Sequence, residues 1–331
     1  MTLKKALSTI LQPLVDILVN VEPSFLTRHN LHPGSYAIVD RPTQDALLAA
    51  TSQTRTIASG GSASNSLACA NLLGVRCAYV GLVGDDEHGH LYQKDFASQG
   101  ITSPNIPVSK ARTGACLSLI TPDGERTMRT DLSVALELEA SHIDAESIAA
   151  SDWLLLEGHL LTAGPKNMSA LVRGIEIANQ RGTKVALNIN SEFAASTKRE
   201  QVLADFLPKI DMIIGNEPEA MALASQSSPQ AAFAALSNIC PSVVVTCGRD
   251  GAFIKYGGHT LHAPAHTEGV TVVDSTGAGD AFTGVLLAGL ALGCPIEKAA
   301  LGASRLAAAV VAQPGARLPS SAANLWRDSV K

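Results

Sequence analysis

The chain has 331 residues, 46% of them hydrophobic and 17% charged, with a net charge of −5, and it is long enough for one large α/β domain or two smaller ones. Its scattered Lys and Arg residues argue against nucleic acid or an anionic membrane surface as the main partner, and no apolar stretch reaches the roughly 18 residues of a membrane span. The six cysteines are dispersed without a C-x-x-C pair, which favours buried free thiols over a metal cluster or a disulfide framework.

The amino terminus raises the question of a signal peptide, because two lysines precede an apolar run. Gln12, Pro13 and Asp16 interrupt that run early, and no convincing small-residue cleavage site follows. We therefore expect the segment to belong to the mature protein, and the protein to be cytoplasmic.

Short apolar runs that end in polar or glycine residues predict buried strands. These runs are Arg76–Gly84, Asp152–Gly158, Lys184–Asn190, Met212–Glu217 and Ser242–Gly248. Between them, apolar residues at three-to-four spacing predict helices, and the chain is expected to end in two more, roughly Ala281–Leu292 and Ile296–Ala312. This alternation predicts an α/β fold whose mostly parallel sheet is covered by helices on both faces.

Two stretches depart from this rhythm and alternate like half-exposed strands. They are "LVDILVNVE" (Leu14–Glu22) and "GACLSLITPDGERTMRTDL" (Gly114–Leu132). "TPDG" in the second predicts a hairpin turn, since Pro presets φ and Gly permits a positive φ. We expect a small antiparallel sheet beside the main one, which is a candidate lid.

The stretch "DSTGAGDAF" (Asp274–Phe282) places two glycines and an acid where a helix is expected to begin. Backbone N–H groups of Gly277–Gly279 can converge there and form an anion site at the helix N-terminus. A carboxylate beside such a site is electrostatically unfavourable unless it has a function, such as taking a proton from an attacking hydroxyl. The alternative is that Asp280 only complements the helix dipole, worth about 0.3–1 kcal/mol.

A second glycine pair, Gly60 and Gly61 in "ASGGSASNSLACANLLG", precedes a helix expected to begin near Ser64 or Asn65. Adjacent glycines let a substrate approach the backbone, and Asn65 can hydrogen-bond a hydroxyl; the alternative is an ordinary turn with Ser or Asn as N-cap. Neither G-x-x-x-x-G-K-[ST] nor a G-x-G-x-x-G after a first strand occurs, which excludes the common phosphate loop and weakens a dehydrogenase interpretation.

Together, "GGSASN" and "DSTGAGDAF" resemble the two signatures of the ribokinase-like (PfkB) carbohydrate and nucleoside kinases. Further segments fall in family order: "VGLVGDDEHG" (80–89), "TPDGERTM" (121–128), "LEGHLL" (156–161), "NEPEA" (216–220), "VVTCGRDGA" (244–252) and "GARLP" (315–319). The resemblance thus covers nearly the whole chain. It implies one kinase domain over residues 1–331, with a three-layer α/β/α core, a mostly parallel central sheet and a small antiparallel β lid whose strands are inserted at about 14–24, 35–58 and 110–132.

The resemblance also implies roles for individual residues. Asp280 is similar to the family's catalytic base, and the anion hole around the γ-phosphate corresponds to Gly277, Ala278 and Gly279. The positions that hold the acceptor's sugar hydroxyls correspond to Asp16, Gly60, Gly61 and Asn65. Thr246 and Gly248 correspond to the nucleotide pocket. The N-x-x-E motif, Asn216 and Glu219, corresponds to residues that organise Mg²⁺ and phosphate, largely through water.

A monovalent cation is a further implication. Asp274 and Thr276 match a loop that in many relatives holds K⁺, with the turn from Val310 to Gly315 opposite. The alternative is that Asp274 simply ties the anion-hole loop to its neighbour. Arg126 and Arg129 in the lid hairpin are candidates for contacts with phosphate or substrate, and equally for solvated surface charges.

The acceptor is the least determined feature. "PLVDI", "FL" and "L-x-P-G" near the amino terminus resemble the adenosine kinase-like branch, which implies ATP-dependent phosphorylation of a nucleoside's primary hydroxyl, adenosine first. Where that branch usually has Gly-Asn, this chain has Leu11 and Gln12. Arg129 and Asp131 add charges expected to change the pocket's polarity, and the few aromatic candidates for a nucleobase wall include Phe25 and Phe193.

Two alternatives remain open. A kinase of the same family acting on ribose, fructose or a sugar acid would keep the mechanism. A non-catalytic regulatory relative would be expected to lose Asp280 or the glycines, which are intact. The expected ligands are ATP, Mg²⁺ and the acceptor, with K⁺ undecided, and the chain is expected to be a monomer or a homodimer.

Overall fold

The strands of the protein form two sheets in the computed structural model, which describes residues 4–51 and 53–330. The strands are β1 (Ala6–Ile10), β2 (Leu14–Asn20), β3 (Tyr36–Ile38), β4 (Arg55–Gly60), β5 (Arg76–Val80), β6 (Gly114–Ile120), β7 (Arg126–Asp131), β8 (Trp153–Glu157), β9 (Lys184–Asn188), β10 (Met212–Asn216), β11 (Ser242–Thr246), β12 (Ala252–Tyr256) and β13 (His259–Ala263).

The helices of the described residues lie mostly between these strands. They are α1 (Pro23–Arg28), α2 (Arg41–Ala50), α3 (Ser62–Leu72), α4 (Glu87–Ser98), α5 (Ala145–Ala149), α6 (Pro165–Arg181), α7 (Glu192–Thr197), α8 (Arg199–Gln201), α9 (Glu217–Ala224), α10 (Pro229–Ser237), α11 (Ala278–Ala291), α12 (Ile296–Val311) and α13 (Ala323–Val330). None of them is both long and apolar enough to cross a membrane.

The main sheet, sheet A, has the order β13-β12-β11-β10-β9-β8-β1-β5. Its strands from β11 to β5 pair in parallel, and β12 and β13 add an antiparallel edge. Successive side chains of its strands point to opposite faces of the sheet, and each face has its own hydrophobic core. Leu155 packs with α3, α11 and α12, whereas Leu154 and Leu156 pack with α6 and α9. The expected three-layer α/β/α core with a mostly parallel sheet is thus confirmed.

The smaller sheet, sheet B, has the order β3-β7-β6-β2-β4. It is mixed, because β2–β4 and β6–β7 pair antiparallel while β2–β6 and β3–β7 pair in parallel. The hairpin turn expected at "TPDG" joins β6 to β7, with Gly124 at φ +84°. The expected lid range 35–58 contains strand β3 and the beginning of β4, with helix α2 between them, and α1 and α2 cover one face of the sheet. That sheet B is the lid of a single kinase domain stays a prediction.

Two elements of the fold differ from the sequence analysis. Strand β1 lies between β8 and β5, although its centre is polar; Thr9 is buried and donates its hydroxyl to the carbonyl of Leu155 at 2.9 Å. A third carboxy-terminal helix, α13, follows the two that were expected, and its Trp326 packs on Gly302, where a Cβ would meet the ring at 2.4 Å. The six cysteines are free, and all but Cys294 are buried, as expected.

Candidate active site

The two glycine-rich segments meet because helices α3 and α11 pack closely together. At Gly284 of α11 a Cβ would lie 1.9 Å from the carbonyl oxygen of Ser66 in α3, so only glycine permits this approach. One turn earlier on each helix stand Asp280 and Ser62. The close packing therefore brings the first turns of both helices to one place.

Two side chains of α3 hold Asp280, and a third side chain from another segment holds one of them. The hydroxyl of Ser62 donates to its Oδ1, and Asn65 Nδ2 donates to its Oδ2 at 3.1 Å. Asn190, after β9, donates to the Ser62 oxygen at 2.7 Å. Burial raises the pKa of Asp280 to about 6, although the hydrogen bonds from Ser62 and Asn65 act in the opposite direction. The carboxyl group is thus oriented and tuned towards a pH at which it can accept a proton.

Helix α3 begins two residues earlier than expected. Its N-cap is Gly61 at φ +95°, without a side-chain cap, so the alternative in which Ser or Asn caps this helix is wrong. Asn65 lies inside the helix and is buried against Asp280. Ser62 and Asn190 were not predicted from the sequence; their only signal is their position, Ser62 directly after the glycine pair and Asn190 two residues after β9.

Asp16 stands on β2 beside the glycine pair. A Cβ at Gly60 would lie 2.2 Å from its carboxylate, so Gly60 is required for the carboxylate to lie there. Burial raises the pKa of Asp16 to about 6, against the opposing charges of Arg317 and Arg126, and the negative charge of Asp280 adds to the increase. The charges of Asp16 and Asp280 therefore interact directly across the site.

The face of sheet B that carries Asp16 is partly apolar. Asp16 pairs with Cys116, Cys116 with Thr130 and Thr130 with Ile38, so these side chains share one face. Tyr36, two residues before Ile38, lies on the same face. Their exposed fractions are 50% for Tyr36 and 56% for Ile38. The sequence analysis did not find this apolar surface, because three-residue β3 has no recognisable period.

The extra charges noted in the sequence lie on the opposite face of sheet B. Arg129 Nη1 donates to the carbonyl of Ser35 at 3.0 Å, and Asp131 pairs with Arg41 at 3.3 Å. Both residues are buried. The expectation that they change the acceptor pocket's polarity is therefore wrong, and Arg129 is neither a substrate contact nor a solvated charge. Phe25 is likewise buried under sheet B and is not available as a nucleobase wall.

The glycine loop before α11 is shaped by two different requirements. Gly277 has φ +83°, and a Cβ there would lie 2.3 Å from that of Ala316. Nothing lies within 4 Å of a Cβ built at Gly279, so this side of the loop is open to a ligand. Helix α11 begins at Ala278, which leaves first-turn N–H groups such as that of Gly279 without an intrahelical partner. The loop can therefore receive an anion.

A cavity of about 700 Å³ is bordered by this loop through Ser275, Ala278 and Gly279. It brings together residues that the sequence analysis assigned to the nucleotide and to the anion hole: Thr246, Gly248, Ala278 and Gly279. Phe282, Val270 and Ala308 contribute apolar walls. Its size and mixed lining suit a nucleotide.

Asn216 and Glu219 close a capping box at the start of α9. Glu219 N donates to Asn216 Oδ1 and Asn216 N donates to Glu219 Oε2, both at 3.0 Å. Burial raises the pKa of Glu219, opposed by the Asn216 N–H and by His159. Among the described residues, no group of three or more His, Cys, Asp and Glu side chains is placed to hold a metal ion directly.

A buried acid at the end of strand β8 and a histidine two residues later were not singled out from the sequence. Glu157 accepts from the Gln12 N–H at 2.7 Å and lies 3.4 Å from His159 Nδ1. Burial alone would lower the pKa of His159, but the hydrogen bond and charge of Glu157 raise it overall. The Gln12 side chain donates to Asn167 at 3.1 Å.

The expected cation loop is tied to its surroundings through Asp274. Its carboxylate accepts from the N–H of Thr276 at 3.0 Å and from the N–H of Gly315 at 2.8 Å. It also forms an ion pair with Arg126 of β7. Val310 is buried and its carbonyl accepts from the Gln313 N–H at 3.2 Å. Although burial raises the pKa of Asp274, the two N–H groups, the Thr276 hydroxyl and Arg126 lower it overall.

The chain resembles known proteins over most of its length. Residues 37–323 match the pfkB family of carbohydrate kinases. An adenosine kinase from Saccharomyces cerevisiae is 26% identical over 328 residues, which cover 93% of this chain and 95% of the relative. The crystal structure of adenosine kinase from Sinorhizobium meliloti is 28% identical with a TM-score of 0.90, covering 98% of this chain and 99% of that one. A probable sugar kinase from Rhizobium etli is 26% identical with a TM-score of 0.91, covering 99% of both chains.

Proposed function

Because the chain belongs to the pfkB family of carbohydrate kinases and is an ATP-dependent kinase, we propose that its acceptor is a nucleoside, adenosine, which it phosphorylates on the primary hydroxyl to AMP. One observation carries the proposal. Asp280 stands at the first turn of α11, directly after Gly279 of the 700 Å³ cavity, and close enough to Asp16 of sheet B for its charge to raise the pKa of Asp16. We also propose that the protein is cytoplasmic and that it is a monomer or a homodimer.

Asp280 is proposed as the general base. Ser62 and Asn65 hold its two oxygens, and its raised pKa suits proton acceptance from an alcohol near neutral pH. The N–H groups of Gly277, Ala278 and Gly279 are proposed to stabilise the negative charge on the transferred phosphoryl group. Orientation and preorganised charge supply most of the acceleration in such transfers.

Thr246 and Gly248 are proposed to line the nucleotide pocket, with the phosphates directed towards Gly279. Mg²⁺ would neutralise phosphate charge when bound with ATP. Asn216 and Glu219 fit a role through water, because the capping box already uses the Glu219 carboxylate. They are proposed to position water around the metal and not to ligate it directly.

The acceptor is proposed to lie against sheet B. Asp16, Gly60, Gly61 and Asn65 would receive the ribose hydroxyls. The exposed Tyr36 and Ile38 share a face with Asp16 and would supply the flat apolar wall that a nucleobase needs. The similarity to adenosine kinases supports this choice.

A sugar kinase is the second candidate, supported by the similarity to the Rhizobium etli probable sugar kinase. It would keep Asp280 and the anion hole and would leave the wall of Tyr36 and Ile38 unused. A non-catalytic relative has less support, since Asp280 and the glycines are present and assembled.

An acceptor panel separates these functions. ADP release from ATP–Mg²⁺ is measured with adenosine, inosine, guanosine, ribose, fructose and 2-keto-3-deoxygluconate. We expect the highest kcat/KM with adenosine. Turnover with a free sugar alone would replace the nucleoside proposal with the sugar kinase, and binding of ATP without turnover of any acceptor would contradict both.

A further inference from the structure

The carboxylate of Asp274 has few lone pairs left with which to bind a metal ion. An ionised carboxylate offers about four lone-pair sites. In this structure Oδ1 accepts from the Thr276 N–H and Oδ2 from the Gly315 N–H, and the Thr276 hydroxyl is a third donor to the carboxylate. Arg126 Nη2 is the fourth, on Oδ2.

Hydrogen bonds of the opposite turn compete with a cation as well. Gly315 donates its N–H to Asp274. The carbonyl of Val311 accepts from the N–H groups of Val273 and Asp274, and that of Val310 accepts from the Gln313 N–H. K⁺ needs several oxygen atoms to replace its hydration shell. The guanidinium beside Asp274 would also repel it. With Arg126 paired to Asp274, the residues present therefore do not fit the K⁺ site that the family resemblance implies.

We propose that Arg126 supplies the positive charge at this loop in place of a monovalent cation, and that it positions the anion hole through Asp274. The ion pair is partly shielded, since the exposed side-chain fractions are 18% for Arg126 and 12% for Asp274. Such shielding makes a charge pair less sensitive to salt than one at the surface. The inference rests on the proposed role of Gly277–Gly279, three residues beyond Asp274.

This charge comes from sheet B and not from the helical core. Arg126 is the first residue of β7. Because side chains alternate along a strand, Arg126 lies on the same face as Met128 and Thr130, which is the face that carries Asp16. A movement of sheet B over an acceptor would therefore also move the group that holds the Asp274 loop. If sheet B closes over the acceptor, this ion pair would link acceptor binding to the order of the anion hole.

The test compares KCl with choline chloride at equal ionic strength. For the wild type we expect turnover in the two salts to differ by less than about twofold. A bound effector typically changes the affinity of another ligand by roughly 5–150-fold. In Arg126→Met we expect kcat in choline chloride to fall roughly 10²-fold, the size of a lost oxyanion-hole donor, with smaller changes in both KM values. The kcat of Arg126→Met should be at least about fivefold higher in KCl than in choline chloride, because the carboxylate of Asp274, freed from Arg126, then binds K⁺.

Melting temperatures in the same two salts, measured with ATP–Mg²⁺ and no acceptor, give a second readout. KCl should raise the melting temperature of Arg126→Met and leave that of the wild type unchanged. Arg126→Lys, which keeps the charge, should stay active without K⁺. Arg55→Met, on β4 of the same sheet with its guanidinium on the Leu48 carbonyl, is the matched control and should show no effect of K⁺.

Three results would overturn the proposal: activation of the wild type by K⁺, unchanged turnover of Arg126→Met in choline chloride, or a loss that KCl does not repair. The melting experiment needs no acceptor. It therefore judges the role of Arg126 even if adenosine proves not to be the substrate, in which case the turnover experiment uses the acceptor that the panel identifies.

Discussion

Asn65 donates a hydrogen bond of 3.1 Å to the carboxylate of Asp280, and this contact joins the two glycine-rich segments of the sequence. The two residues are 215 positions apart along the chain. They meet because Gly284 allows α11 to lie against the backbone of Ser66 in α3. The hydrogen bond that orients the proposed base therefore depends on a glycine one turn away that contacts no substrate.

Turnover should depend on pH through the two coupled carboxyl groups. Burial raises the pKa of both Asp280 and Asp16 to about 6, and each must be ionised to accept a proton or a hydroxyl hydrogen bond. The kcat/KM of the acceptor should therefore fall below about pH 6, with a steeper fall than one titration gives. Measurement of kcat/KM from pH 5 to 8 tests this. In Asp16→Asn the fall should become shallower; a flat profile down to pH 5 would contradict the assignment.

Asp280→Asn should stabilise the protein at neutral pH. Because the folded-state pKa of Asp280 lies above its ordinary value of 3.8, the folded state binds the proton more tightly than the unfolded state. The ionised carboxylate therefore lowers stability above about pH 6, and the neutral amide removes this cost. The melting temperature should rise by about 2 °C or more at pH 7.5, and the gain should shrink towards pH 4. Asp123→Asn is the control without a gain, because hydrogen bonds from Thr121 and Glu125 lower the pKa of Asp123.

Asp16→Ala should raise the KM of the acceptor and leave the KM of ATP nearly unchanged. Asp16 lies beside Gly60 on sheet B, whereas the cavity proposed for the nucleotide is lined by Gly279 and not by Asp16. We expect the acceptor KM to rise about tenfold or more and the ATP KM to change by less than about twofold. Steady-state kinetics with each substrate varied in turn measure both values. Equal changes in the two constants would remove Asp16 from the acceptor site.

Tyr36→Ala should distinguish a nucleoside site from a free-sugar site. If the ring forms a nucleobase wall, its loss should raise the adenosine KM about tenfold, as expected for one aromatic contact, and leave turnover of a free sugar unaffected. Ile57→Ala is the matched control, since Ile57 is exposed on the same sheet but pairs with Ile17, on the opposite face. An unchanged adenosine KM in Tyr36→Ala would argue against the wall.

The regular core of the fold was predictable because its strands are apolar runs with polar ends. Strand β1 escaped prediction because its buried Ser8 and Thr9 interrupt the apolar pattern. The Thr9 hydroxyl donates to the carbonyl of Leu155, whereas the buried Ser8 hydroxyl has no hydrogen-bond partner among the described residues. Helix α13 escaped because eight residues are too short a stretch to predict a helix from, and Trp326 finds its place only when Gly289 of α11 and Gly302 of α12 leave room for its ring. Both are consequences of tertiary packing.

The site could be located from local glycine patterns, but the side chains that contact Asp280 and Asp274 could not be predicted. Asp280 stood out because a carboxylate beside an anion site has a physical cost. Ser62 and Asn190 carry no such signal, since each is an ordinary polar residue until the helix crossing brings it to Asp280. The ion pair of Arg126 with Asp274 joins segments 148 residues apart, and no local sequence rule predicts it.

Turnover of Asp280→Asn with adenosine tests the central claim most directly. ADP release is measured at pH 7.5 for the wild type and for this variant, with ATP binding verified in both. The account predicts rapid release by the wild type and a loss of about 10²–10⁴-fold in kcat for the variant, as expected when a general base is removed. A variant that turns over adenosine at nearly the wild-type rate would contradict the assignment of Asp280 as the base.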